Sequence, residues 1–221
     1  LKKSYNLVIL CNPNNPTGSF VNRENFKELL NDVNFSSTNF FIDEAFIDFI
    51  KNGEDLSFKH FESDRVIIIR AFTKFFGIPG LRLGYSICYN KKWVSTANNL
   101  KEPWTINTFA ASCGEILLNS NKYIEKTYKT LEKEKNRMLN GLKKIENIQV
   151  FKSESNFLLI KLMEISGTEL YNKLLEKGFL IRRCENFNFL DDSYVRIAIK
   201  DKKSNKNFIK AINKITKNRN V

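Results

Sequence analysis

Three short runs, residues 7–10 (LVIL), 40–42 (FFI) and 66–69 (VIII), are continuously apolar rather than alternating. That is the pattern of strands buried on both faces of a parallel sheet. Each run ends in a polar stretch: CNPNNPTG after the first, DEAF after the second and RAFTKFFGIPGLR after the third. Between them, Asn22 is placed to cap a helix to about Val33, with Phe26, Leu29, Leu30 and Val33 at helical spacing. Residues 51–64 read as a polar excursion and 83–89 as a further strand. Helix crossovers then cover the sheet, which makes this part an α/β layer.

The rhythm changes after a long helical pattern over 121–146, marked by Tyr123, Thr127, Leu131, Met138 and Leu142. Residues 149–151, 156–162, 179–182 and 194–199 read as strands, and 167–177 and 202–217 as helices, with Gly178 closing the first. The expected organisation is a large α/β domain over 1–146 and a small C-terminal α+β domain over 147–221.

The three strand ends carry the candidate chemistry. Asn15, Asp43 and Lys74 each lie just past an apolar run, at the carboxyl edge where open α/β sheets bind ligands. A lone loop lysine is ordinarily a surface residue. Here an amide and a carboxylate converge with it, and an amine in such company suits a nucleophile toward an aldehyde.

NPNNPTG, DEAF, and the lysine followed eight residues later by arginine in KFFGIPGLR resemble, in order and spacing, the aminotransferase class I and II group of fold-type I pyridoxal-phosphate enzymes. The resemblance implies a partial large domain, a mostly parallel sheet with helices, followed by the small domain. It assigns Lys74 as the lysine that holds pyridoxal 5′-phosphate covalently and Asp43 as the partner of its ring nitrogen. Asn15 matches the residue bonded to the phenolic oxygen, and Thr73 and Arg82 match positions that hold the phosphate. Arg196, a charge inside the apolar strand 194–199, matches the arginine that grips a substrate carboxylate; its other reading is an outward-facing edge residue. Asn156 and Arg182 are further candidates for that pocket, and Asn107 is either a helix cap or a ligand contact. Three departures stand out: Phe46 where tyrosine is common, Ala71 where a serine or threonine hydroxyl is usual, and Arg183 where aspartate is frequent among the decarboxylases.

Within the group, DEAFIDF, TKFFGIPGLRLGY, EPWTIN and IRRCENF look more like the threonine-phosphate decarboxylases of cobalamin biosynthesis, which form aminopropanol phosphate, than like histidinol-phosphate aminotransferases. The implied substrate is a small anionic amino-acid phosphate, and the family implies a homodimer when complete. The family domain is about half as long again. Its phosphate-binding loop precedes the first motif, so the sequence reads as N-terminally incomplete and, alone, poorly active. A reading from another class is an inactive remnant that only binds.

Composition adds bounds. The 221 residues are 42% hydrophobic and 27% charged, as in a globular protein. The opening LKKSYNLVIL has a basic start and an apolar run, but the run is short and leads into NPNNPTG rather than a small-residue cleavage site; the expectation is cytoplasmic. Four cysteines lack metal spacing and read as reduced thiols. The net charge of +12 is densest from Lys200 to Arg219, but no aromatic-interleaved basic motif accompanies it. It reads as a solvated surface, without nucleic-acid or membrane partners.

Overall fold

The structure, a computed structural model, describes residues 5–217; the basic start at Lys2 and Lys3, and Arg219, lie outside the described residues. The chain divides into two compact units, one of residues 1–15 with 20–122 and one of residues 16–19 with 123–221.

The first unit is built on a four-stranded sheet in the order β1 (Leu7–Cys11), β2 (Asn39–Asp43), β3 (Val66–Ala71) and β4 (Gly84–Cys88). The first three strands are parallel, with Leu10 beside Ile42 and Ile42 beside Ile68. β4 runs antiparallel to β3 and pairs Ala71 with Gly84. A Cβ on Gly84 would stand 2.7 Å from the Arg70 carbonyl oxygen, so only glycine lets β4 approach this closely. On one face, Phe40, Ile42, Val66 and Ile68 pack with Phe26 and Leu30 of helix α1 (Arg23–Asn31). Asn22 caps that helix, its side chain accepting the Asn25 N–H at 2.8 Å. The other face carries Leu7 and Ile9, 53% and 71% exposed.

The stretch read as a polar excursion contributes to this core. It contains the short helix α2 (Gly53–Leu56) and a single 3-10 turn (Phe58–Phe61). Phe58 is buried there and stacks on Phe26, ring centroids 4.2 Å apart.

After β3 a single helical turn, α3 (Phe72–Phe75), opens a loop that returns at Leu83, where the Phe72 N–H donates to the Leu83 carbonyl at 3.2 Å. Phe72, Leu83 and Ala110 form a small separate cluster. Helices α4 (Lys91–Leu100) and α5 (Thr108–Leu118) follow.

Helix α6 (Asn121–Leu142) leads into the second unit, whose strands β5 (Ile148–Val150), β6 (Phe157–Leu162), β8 (Tyr194–Ala198) and β7 (Arg182–Arg183) form an antiparallel sheet in that order. Residues 179–181, expected as strand, are not part of it, and β7 is two residues long. Leu158, Ile160, Val195 and Ile197 lie on one face and pack with Met138 and Leu142 of α6. Leu170 and Leu174 of α7 (Gly167–Leu175) and Phe208, Ile212 and Ile215 of α8 (Lys202–Lys217) complete that core. The lysines of α8 occupy its other side: apolar positions 208, 212 and 215 recur at helical spacing, which leaves the charges in water.

Candidate active site

The parallel register fixes what meets at the carboxyl edge. Cys11 at the end of β1 is the partner of Asp43, and Asp43 is the partner of Ile69. The ladder continues one step further, with the Asn12 N–H donating to the Asp43 carbonyl at 2.8 Å and the Glu44 N–H to the Ile69 carbonyl at 2.9 Å. Asn15, Asp43 and Lys74 therefore leave three adjacent strands at one end of one sheet.

Asn12 holds the first loop closed. It is fully buried; its side-chain oxygen accepts the Val21 N–H at 2.8 Å and its amide donates to the Val21 carbonyl at 3.0 Å. The Cys11 thiol donates to the Pro13 carbonyl at 3.3 Å. Its pKa is pushed up, first by burial, with the Asn15 backbone N–H opposing and the Asp43 charge adding.

Asp43 is half-buried and accepts the Ala45 N–H at 2.9 Å, which turns the chain after β2. Lys74 lies on α3 rather than in an irregular turn; its ammonium is exposed and sits 5.9 Å from the Phe46 ring centroid. Beside it, Thr73 is buried. Arg82 is exposed, adopts the left-handed region (φ 56°) and donates to the Pro79 carbonyl at 3.0 Å. Asn107 caps α5, accepting the Ala110 N–H at 2.9 Å, while its amide donates to the Leu81 carbonyl at 3.0 Å.

The remaining candidates lie in the second unit. On the sheet face opposite the helices, Arg196 of β8 stands between Leu159 of β6 and Arg182 of β7. The Arg196 guanidinium is 5.0 Å from the Phe157 ring centroid, and Lys161 Nζ is 5.3 Å from that of Tyr194. Burial pulls the Arg196 pKa down; the Cys184 thiol opposes this and Arg182 adds to it. Arg182 also donates to the Asn186 side chain at 2.7 Å. Arg183 is bound to the Thr168 hydroxyl at 2.6 Å and to Glu185 at 3.0 Å. Asn156 immediately precedes β6, its side-chain oxygen accepting the Ser155 hydroxyl at 3.3 Å.

Among the described residues, no group of three or more His, Cys, Asp or Glu is placed to hold a metal ion, and no helix is long and apolar enough to cross a membrane.

Residues 1–212 match the aminotransferase class I and II family. The chain belongs to that family. A provisionally named threonine-phosphate decarboxylase of Caldanaerobacter subterraneus subsp. tengcongensis is 39% identical over 212 residues, which are 93% of this chain and 56% of that protein. The histidinol-phosphate aminotransferase of Methanocaldococcus jannaschii is 32% identical over 209 residues, 95% of this chain and 55% of that one. Among solved structures, the histidinol-phosphate aminotransferase from Clostridium acetobutylicum superposes with a TM-score of 0.92 at 41% identity, over 96% of this chain and 64% of that one. The chain thus spans little more than half the length of these curated relatives.

The family is one of pyridoxal 5′-phosphate enzymes, and the donors at the sheet edge suit that cofactor: a carboxylate for the ring nitrogen, an amide for the phenolic oxygen and an amine for the aldehyde. Asn12, Glu44 and Arg70 were not distinguishable as parts of this edge by local pattern. Their one legible signal is that each is a polar residue within two positions of the end of an apolar strand run.

Proposed function

We propose that this chain carries the cofactor-holding and anion-gripping residues of a pyridoxal 5′-phosphate enzyme that decarboxylates threonine phosphate to aminopropanol phosphate and carbon dioxide. The observation that carries the reading is the in-register meeting of three parallel strand ends that bear Asn15, Asp43 and Lys74. The cofactor, when bound, supplies a protonated ring that accepts the electrons left when a bond to the substrate's Cα breaks.

The chain's residues do the rest. Asp43 keeps the proton on the ring nitrogen by its opposite charge. Asn15 donates to the phenolic oxygen, and Thr73 with Arg82 holds the phosphate, for which a guanidinium fork is suited. Phe46 offers no hydroxyl, so the phenolic oxygen would have Asn15 without the second donor that a tyrosine would give. Lys74 would hold the cofactor through its aldehyde carbon, and its amine would carry the proton that the substrate's Cα receives. Arg196 and Arg182, two neighbouring cations, receive the substrate's anionic groups, and Asn156 is a further candidate for that pocket. Asn107 is assigned to the helix cap, with any ligand contact secondary to it.

A transaminating enzyme of the histidinol-phosphate type is the second reading, favoured by the 41% identity to the Clostridium acetobutylicum structure. An inactive binding remnant is the third. Incubating the protein with threonine phosphate separates them. Carbon dioxide release without a keto-acid acceptor supports decarboxylation, and a strict need for 2-oxoglutarate with histidinol phosphate supports transamination. Binding of the cofactor with no turnover of either substrate supports the remnant.

A further inference from the structure

Directly behind the candidate site, the ends of β2 and β3 are joined by a buried ion pair. Glu44, one residue past Asp43, is fully buried, and Arg70, four residues before Lys74, is 5% exposed. Arg70 Nε donates to Glu44 Oε2 at 3.2 Å. The same carboxylate accepts the Ser57 hydroxyl at 2.7 Å, and Glu44 Oε1 accepts the Phe58 N–H at 2.8 Å. Arg70 Nη1 reaches the Glu54 carboxylate and, at 3.3 Å, the Tyr85 hydroxyl. Nη2 lies 3.9 Å from Asp48 and makes no hydrogen bond. Both residues continue the buried rows of their strands, Phe40 and Ile42 on β2 and Val66 and Ile68 on β3. Asp43 belongs to the opposite face.

Stability alone is a poor reason for this pair. Removing both charges from water costs about as much as their attraction returns, and well-packed apolar residues commonly do as well or better. The pair does fix geometry. Each Glu44 oxygen is oriented by a separate donor, and a guanidinium fork spanning Glu44, Glu54 and Tyr85 tolerates little sliding. A one-residue slip between β2 and β3 would exchange the faces of Asp43 and Glu44.

We propose that Arg70 is a positioning residue: through Glu44 it buckles the end of β2 to the end of β3, and so sets where the Asp43 carboxylate lies relative to the Lys74 amine. This rests on the cofactor reading given above.

The test uses the full chain, pyridoxal 5′-phosphate and borohydride, with peptide mass mapping of which lysines are reduced onto the cofactor, across a pH series. The paired variant Glu44→Gln/Arg70→Met keeps an oxygen and an amide for Phe58 and Ser57 but removes both charges. Arg70→Lys keeps the charge without the fork. Circular dichroism and urea midpoints verify that each variant is folded. The expected result is selective labelling of Lys74 in the wild type, a fall of about tenfold or more in the Lys74 share in the paired variant, and partial recovery in Arg70→Lys, as misplacing reacting groups by an ångström predicts. If the paired variant does not fold, Arg70→Lys carries the test, with a several-fold loss and a shifted pH midpoint expected. Wild-type labelling of Lys74 in whichever variant is folded overturns the positioning role alone. A wild-type chain with no preference for Lys74 overturns the cofactor reading, and the positioning role with it.

Discussion

Arg182 and Arg196 are direct cross-strand partners on the face of the small sheet opposite its helices, two cations where strand pairing usually avoids like charge. An anion between them would turn that repulsion into attraction. Arg182→Ser is therefore expected to change stability by no more than about 1 kcal/mol, since relieved repulsion offsets the lost contacts. The same change should weaken binding of threonine phosphate about tenfold or more, because charge-assisted bonds to the ligand are worth about 1.5–3 kcal/mol. Urea midpoints and calorimetric titration at fixed ionic strength check the two halves.

Asn12→Ala removes the hydrogen bonds that the structure gives between the Asn12 side chain and Val21, leaving a part-buried N–H and carbonyl to find new partners. Each unsatisfied group costs about 1–3 kcal/mol, so a lower urea midpoint is expected. Asn12→Asp keeps the acceptor for the Val21 N–H and should lose less.

Gly84→Ala places a methyl group 2.7 Å from the Arg70 carbonyl oxygen, a backbone atom that cannot rotate away. The expected cost is about 1–3 kcal/mol, from the displacement of β4 or β3 that the overlap forces. Differential scanning calorimetry would record it as a lower melting temperature.

Acid should act on Glu134, whose carboxylate is buried and bound to Arg137 at 2.9 Å and to the Asn205 amide at 3.1 Å. Burial raises its pKa, but Asn205 and Arg137 outweigh that and hold it below the usual glutamate range. With the folded value depressed, the unfolded chain binds the proton more readily. The stabilisation is full above the ordinary glutamate pKa and is lost as pH falls through the folded value. Glu134→Gln should lower the urea midpoint near neutrality, and the gap to the wild type should narrow as pH drops below about 4. Urea unfolding at several pH values checks this.

How much of this was legible depended on how local the cause was. The runs at 7–10, 40–42 and 66–69 became β1, β2 and β3 because continuous apolar, β-branched residues have few other uses. The last helix was legible from its start at Lys202, because apolar positions 208, 212 and 215 recur at strong helical spacing. Phe58 was lost among polar neighbours; its burial comes from Phe26, thirty-two positions away, which no window of sequence contains. Residues 179–181 look like strand because apolar residues in an extended linker and in a ladder read alike. Glu44 and Arg70 were invisible as a pair for a related reason: they are 26 positions apart, and only the parallel pairing of β2 with β3 brings them together. Asn107, left open between two roles, caps α5 in the structure.

The loop between β3 and β4 is closed at its base, where Ala71 pairs with Gly84 and the Phe72 N–H meets the Leu83 carbonyl. Lys74 and Arg82 both sit near that base, so the strand pair anchors their separation more than the residues between them do. The intervening tip is therefore free to drift in evolution, and relatives with a rewritten tip should still carry the amine and the guanidinium at matching posts.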